Sequence, residues 1–476
     1  MGQGRVPTGI EGLDPLIEGG LPRGSLVLVA GNPGTGKTCF SAEFLYRGAT
    51  KFSENGLFVS FAEGRETFIE NMLKFGLDFK KPVKEGKFEV LDLVTIKEKG
   101  METVMEIIMS EVASLRAQRL VIDSFSAMTH AFERKIDARI FIHILSKMVR
   151  QTGCTTLLII EVPTGSNLIG LGIEEFLSDG IFILKRTRIE DRLARELEIA
   201  KLRGTKLKET IFLFSLNDGF HVFPPFEQKP IKKPKRVKPI SDSATHFSTG
   251  SPDLDRLLGG GYPKGGVVLI DIGENISTPK YHLLLVPTPV NFMSQKRGVM
   301  IVPTIGIDSD YALKIGHSYG FKNGEMHPFL RVAEGRTQTR DRNIPCVLTM
   351  ESRTIKEDYS RWLEAQKELV EETHQPVLEI VGIDMIEAMF GEETVGSVMA
   401  QAATQTRRNG NLTIALGKPG SGPLSQKIAN VSEVHLKLVR EHGALLLFGL
   451  KPRTGLHVLE TDVSRGYPLP KITPIV

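Results

Sequence analysis

Cysteine is nearly missing from this chain. Cys39, Cys154 and Cys346 are the only three, far apart in sequence and without metal-ligand spacing, so no disulfide framework or zinc cluster is expected and a reducing cytoplasmic setting fits. Long apolar runs are lacking as well: no stretch reaches the roughly 20 residues needed to cross a bilayer, and Met1-Gly2-Gln3-Gly4-Arg5 carries no apolar signal core. Membrane contact is therefore not expected. Neither sign of charge dominates, since 60 Lys and Arg stand against 56 Asp and Glu, a balance too even to imply a nucleic-acid partner for the chain as a whole. Tryptophan occurs once. What remains is the composition of a soluble globular protein, 41% hydrophobic and 24% charged, and its 476 residues exceed what one ordinary core organises.

The chain contains an internal repeat. Thr8-Gly9, Leu13-Asp14, Gly20, Pro22 and Gly24 are matched in order by Thr249-Gly250, Leu254-Asp255, Gly261, Pro263 and Gly265, each pair 241 residues apart. A constant offset through so many matches identifies two copies of one fold, which we place at residues 1–225 and 247–476. Residues 226–246 between them mix prolines with Lys232, Lys233, Lys235 and Arg236 and show no apolar periodicity, the pattern of an extended basic linker. A nucleic-acid or acidic-partner contact through those cations stays open.

In copy one, apolar runs at Leu26 to Ala30, Gly56 to Phe61, Leu120 to Ile122 and Thr155 to Val162 alternate with amphipathic helical stretches at Thr38 to Ala49, Thr67 to Lys74, Met101 to Arg116 and Ala138 to Gln151. Such alternation predicts an α/β fold with a mostly parallel sheet flanked by helices. The short β runs from Gly180 to His221 predict an antiparallel extension of that sheet at one edge. Between the first strand and first helix, Gly31-Asn32-Pro33-Gly34-Thr35-Gly36-Lys37-Thr38 fits the full phosphate-loop pattern in its required setting. Glycines let backbone N–H groups face a β-phosphate, Lys37 reaches β/γ oxygens, Thr38 ligates Mg²⁺ and Cys39 follows in the helix N-terminus that completes the ATP cradle. Asp123 ends the apolar strand that should supply the second Mg²⁺ partner. Glu63, just past a strand end, is the candidate for orienting the attacking water, with Glu66 as its competitor; Glu161, at another strand end, is a candidate γ-phosphate sensor.

Together these residues resemble the KaiC family of RecA-type ATPases. The resemblance rests on Thr8-Gly9-Ile10-Glu11-Gly12-Leu13-Asp14, the phosphate loop, Ile122-Asp123-Ser124, Gly172 to Asp179 and Lys201-Leu202-Arg203-Gly204-Thr205, and it spans nearly all of copy one. It implies two tandem RecA-like domains and a homo-oligomeric ring, hexameric in the family, with ATP between protomers. Lys201, Leu202, Arg203 and Thr205 would then meet the nucleotide of the neighbouring protomer, and Lys74 would contact the nucleoside. One departure bears on rate: the family's paired glutamates after the second strand are Ala62-Glu63 here, so turnover is expected to be slow.

Copy two departs further. At the same offset its loop reads Ile272-Gly273-Glu274-Asn275-Ile276-Ser277-Thr278-Pro279, with Thr278 for the lysine and Pro279 for the Mg²⁺ hydroxyl. Ile305 falls at the position of Glu63, and Asp384 is a remnant of the acidic strand. Residues around Arg331 to Trp362 match nothing in copy one and read as an insertion. Copy two is expected to be non-catalytic, and the autokinase cycle that the family places in its second ring is expected to be absent. Three readings stay open: a slow Mg-ATPase ring, a nucleotide-gated scaffold that holds a protein partner, and a DNA-binding recombinase-like ATPase.

Overall fold

The computed structural model describes residues 4–94, 101–129, 135–163, 177–335, 344–351 and 354–476. They form two compact units, Met1–Pro225 with His442–Ala444 and Pro474–Val476, and Phe226–Glu441 with Leu445–Thr473. Among the described residues, no helix is long and apolar enough to cross a membrane.

Among the described residues the main sheet of unit one has nine strands: β1 (Leu26–Gly31), β2 (Gly56–Ser60), β3 (Phe88–Asp92), β4 (Arg119–Asp123), β5 (Thr155–Glu161), β6 (Gly180–Ile189), β7 (Arg192–Leu202), β8 (Ile211–Ser215) and β9 (His221–Phe223). Their order is β9-β8-β7-β6-β1-β5-β4-β2-β3. The six from β6 to β3 run parallel, and β7, β8 and β9 extend them antiparallel. β1 is buried along its whole length, as expected of a central strand covered on both faces. Phe40, Phe44 and Val121 lie in the core on one face of the sheet and Leu120, Ile122 and Phe141 in the core on the other. β3, absent from the strands expected above, is an edge strand whose burial alternates.

Unit two repeats the plan. β10 (Val267–Ile272), β11 (Val299–Val302), β12 (Leu330–Gly335), β13 (Val347–Met350), β14 (Leu378–Gly382), β15 (Leu412–Gly417), β16 (Val434–Glu441), β17 (Ala444–Lys451), β18 (His457–Asp462) and β19 (Leu469–Pro474) are ordered β13-β12-β11-β14-β15-β10-β16-β17-β18-β19. This is the order of unit one with β13 added at the parallel edge, so the extra chain between Arg331 and Trp362 supplies one strand and the start of helix Ile355–Thr373.

The repeated Thr-Gly and Leu-Asp motifs turn out to be one scaffold device made twice. Asp14 accepts hydrogen bonds from Thr8 N and Oγ1 at 2.7 and 2.6 Å, and Asp255 accepts the same pair from Thr249 at 2.7 Å each. Short strands close both devices, Arg5–Val6 with Leu21–Pro22 and His246–Phe247 with Tyr262–Pro263. There the chains pass so closely that a Cβ on Gly20 would stand 2.2 Å from Val6 O, and one on Gly261 2.1 Å from Phe247 O; glycine is required at both.

Strand register corrects one position. Gly56 pairs with Arg119, which pairs with Thr155; Val299 pairs with Leu378, which pairs with Leu412. Because Leu26↔Thr156 and Val267↔Thr413 anchor the two sheets alike, Val299 takes the place of Gly56, and Gly306 rather than Ile305 takes that of Glu63. The two added residues fall in the helical segment after the loop, which is one helix in unit one, Lys37–Lys51, and two in unit two, Thr278–Leu285 and Pro287–Ser294. Proline at the start of the second piece removes an N–H from the ladder and divides the run. The same register puts Gly382 where Asp123 stands, so Asp384 lies two residues beyond it.

The segment after Phe223 has neither helix nor strand until His246. Its second half is laid against unit two: Val237 is buried, Arg236 stacks 3.6 Å over the Phe321 ring and pairs with Glu325 at 3.1 Å, and Asp242 pairs with Arg297 at 2.6 Å.

Candidate functional site

The loop between β1 and helix Lys37–Lys51 turns through Gly34 and Gly36, whose φ angles of 76° and 102° lie where a side chain would be strained. Three contacts hold it. Asn32 Nδ2 donates to Val162 O at 2.8 Å, Thr35 Oγ1 to Asn32 O at 2.9 Å, and Arg195 Nη1 to the carbonyls of Gly34 and Thr35 at 3.3 and 3.4 Å. Tying carbonyl groups outward frees the N–H groups for the opposite side, which is the arrangement an anion needs. Lys37 is buried and donates to Gly31 O at 2.9 Å and Asn32 O at 3.0 Å, so its ammonium lies within the loop itself.

Thr38 Oγ1 donates to Asp123 Oδ2 at 2.7 Å, joining the first turn of the helix to the end of β4. Burial pushes the Asp123 carboxyl up to about 6, with Glu63 and Glu161 adding like charge, while Thr38 and Lys37 act against that rise. Desolvation lowers Lys37, opposed by the charges of Glu161 and Asp123. Lys37, Thr38, Asp123, Glu63 and Glu161 are therefore one electrostatic group at the C-terminal end of the parallel strands, where open α/β sheets bind ligands. A hydroxyl beside one carboxylate suits Mg²⁺, which takes few protein ligands and keeps its remaining sites for water and phosphate.

Other sequence-derived residues are placed as follows. Glu63 is half-buried and accepts from Asn71 Nδ2 at 3.2 Å; Lys74 donates to the same amide's Oδ1 at 3.5 Å, which links the two through Asn71. Glu66 is exposed in the first turn of helix Arg65–Leu73. Glu161 is exposed, its N–H held by Ser126 Oγ at 2.9 Å. Cys39 is buried and its thiol is pushed up to about 12 by desolvation, so it is inert packing. Of Gly172 to Asp179, residues 172–176 lie outside the described residues.

Lys201, Leu202, Arg203 and Thr205 are not part of this group. Leu202 pairs with Gly180, and Gly180 with Val27, at the start of β1. The loop leaves the other end of that strand, about 17 Å away at the usual rise per residue. Lys201 donates to Ser178 O at 2.8 Å, Arg203 stands 3.5 Å from Asp179, and Thr205 Oγ1 accepts from Arg5 at 2.7 Å. Arg195 was missed by sequence reading, as was Arg186, directly across the β6/β7 ladder from it. A facing like-charge pair on a ladder is destabilising by itself, and that pairing, invisible without the register, is the signal that would have found it.

The corresponding place in unit two has kept its backbone and lost its chemistry. Asn275, at the position of Gly34, retains a φ of 60°, and helix Thr278–Leu285 still follows. Lys418 takes the position of Glu161 and pairs with Asp384 at 3.1 Å, so the charges there satisfy each other. His435 and Asp271 likewise pair at 2.6 Å.

With this geometry in hand, comparison with known proteins is direct. Residues 6–225 match the family model described as "ATPase: KaiC", and residues 236–310 match one described as "GvpD basic region 2". The chain is 33% identical over 273 residues to the circadian clock oscillator protein KaiC of Thermosynechococcus vestitus, covering 56% of this chain and 51% of that one. Against KaiC of Synechococcus elongatus it is 34% identical over 275 residues, with the same coverage. It thus spans about half the length of the curated relatives it matches. A solved structure, the KaiC-like protein PH0186 from Pyrococcus horikoshii, is 36% identical, with a TM-score of 0.43, covering 46% of this chain and 99% of that one.

Proposed function

We propose, from the match of residues 6–225 to the KaiC ATPase family model, that this unit binds and slowly hydrolyses Mg-ATP between the protomers of a homo-oligomeric ring, hexameric by analogy, in the cytoplasm. The observation that carries the proposal is the gathering of Lys37, Thr38, Asp123 and Glu63 around one loop, with Lys201, Arg203 and Thr205 at the far end of the same sheet. In this reading the loop N–H groups and Lys37 hold the β- and γ-phosphates, Lys37 exchanging its two carbonyl partners for phosphate oxygens. Thr38 and Asp123 would hold Mg²⁺, which would supply the positive charge that neutralises the phosphates. Glu63 orients the attacking water, steadied by Asn71, and Lys74 lies beside it towards the nucleoside.

Arg203 is the stronger trans candidate of the two cations. Lys201 is engaged within its own unit, donating to Ser178 O at 2.8 Å. The Arg203 side chain is 52% exposed, and in this reading it turns from Asp179 to a neighbouring protomer, where a cation would stabilise charge moving onto the leaving phosphate. Unit two, with Thr278 at the place of the lysine and Pro279 at the place of the Mg²⁺ hydroxyl, is the non-catalytic ring, a structural or partner-binding half.

A mixing experiment tests this. Lys37→Ala and Arg203→Ala proteins, each inactive alone, should recover phosphate release when co-assembled, because some interfaces then pair an intact loop with an intact arginine. Failure of the mixture, with co-assembly verified, would sink the trans site. Ala62 in place of the family's first glutamate favours a second reading, a nucleotide-gated scaffold with little turnover, and nucleotide-dependent assembly without phosphate release would support it.

A further inference from the structure

Unit two contains an apolar cavity on the sheet face away from its degenerate loop helix, between helix Ile355–Thr373 and the helices Ile383–Phe390 and Glu392–Asn409. The room inside it is about 130 Å³, the size of a buried apolar cavity that takes up benzene. Trp362, Tyr359 and Phe390 give it aromatic walls, and Met350, Met385, Met389 and Met399 give it adaptable ones.

Its polar content is one-sided. Glu334, Asp358 and Glu379 line it, and among the described residues no lysine, arginine or histidine does. Glu379 lies in the interior of β14, where register places Leu120 in unit one, itself fully buried. Exchanging a core leucine for a carboxylate is costly unless the charge is met. The surroundings meet it in part: Trp362 Nε1 and Gln366 Nε2 donate to Oε1 at 2.6 and 2.9 Å, and Thr413 Oγ1 donates to Oε2 at 3.1 Å. A carboxylate accepts about four such bonds, so Oε2 retains a lone pair. Burial raises the pKa of this group despite those donors, which is the signature of a site short of positive charge.

We propose that this cavity binds a small apolar cation, an amine or ammonium on a compact hydrocarbon body, with the charged head at Glu379 and the body among the methionines. The aromatic faces of Trp362 and Tyr359 favour the same ligand, because a cation is drawn to a ring face in a desolvated setting. The site is independent of the nucleotide chemistry of unit one.

The only tryptophan of the chain lies in the wall, so its emission reads occupancy in the full-length protein. Three probes with one small body separate the contributions: benzylamine, benzyl alcohol and benzoate. A saturable change in emission is expected with the amine, about tenfold weaker binding for the alcohol, and weaker still for the carboxylate. Glu379→Gln should bring the amine to the level of the alcohol. Ala402→Phe, which fills the cavity and leaves Glu379 in place, should abolish binding of both, with native circular dichroism confirming that each variant folds. Equal binding of all three probes, no saturable change with any, or indifference to both substitutions would overturn the proposal.

Discussion

Two loops at equivalent ends of equivalent strands share one backbone course and differ in the chemistry of their side chains. Gly31 to Thr38 and Ile272 to Pro279 both leave a buried central strand, pass a residue of positive φ and enter a helix. The first keeps a buried lysine, a hydroxyl bonded to a carboxylate and two nearby glutamates. Its counterpart has Thr278, Pro279 and Glu274, and its strand ends carry a lysine-aspartate pair that leaves no local demand for a ligand. Backbone shape is thus maintained by packing, and anion chemistry by a handful of side chains that packing does not need.

That contrast can be broken most severely at Lys37. Replacing it with alanine should weaken Mg-ATP binding by about 100-fold or more, since a charge-assisted contact to phosphate is lost in a buried site. The reverse change, Thr278→Lys, should leave the stoichiometry at one nucleotide per chain, because Pro279 still lacks both N–H and hydroxyl. Equilibrium dialysis of both variants checks the pair.

A smaller effect follows from Asp123, whose carboxyl is raised from 3.8 to about 6 in the folded chain. Its neutral form stabilises unit one fully below about pH 4, and that contribution is lost as pH rises through about 6. Mg²⁺ requires the anion, so Mg-ATP affinity should move the opposite way, falling up to about tenfold per unit as pH drops below 6. Binding titrations between pH 5 and 8 should show this slope, and Asp123→Asn should flatten it. Unit two has Gly382 at that place and supplies no comparable titration.

The mildest test concerns what the copies share. Asp14→Asn and Asp255→Asn each weaken the same two-bond turn and should each cost about 1–2 kcal/mol, measured by urea unfolding of the full chain. A large difference between them would show that the two devices are not equivalent.

Much of this was legible in the sequence because glycine, lysine and hydroxyl at fixed spacing have few other uses, and because central strands are continuous apolar runs. β1, β2, β4 and β5 lie within a residue or two of the expected bounds for that reason. β3 and β13 are edge strands whose half-exposed residues leave no such run. Arg195 and Glu379 were out of reach for a different reason: their meaning depends on the residue across a ladder or beneath a helix, and no linear spacing encodes that. The shift from Ile305 to Gly306 is a milder case, since two residues added beside Pro287 change the count without changing the pattern.

In the proposed ring, the distance between loop and arginine along one sheet would give each protomer a head and a tail. Assembly of such units is polar: an open row of protomers would contain one fewer complete site than it has members, and a symmetric back-to-back pair would contain none. Only closure into a circle gives every loop a neighbour, so activity per chain should report whether the circle is closed.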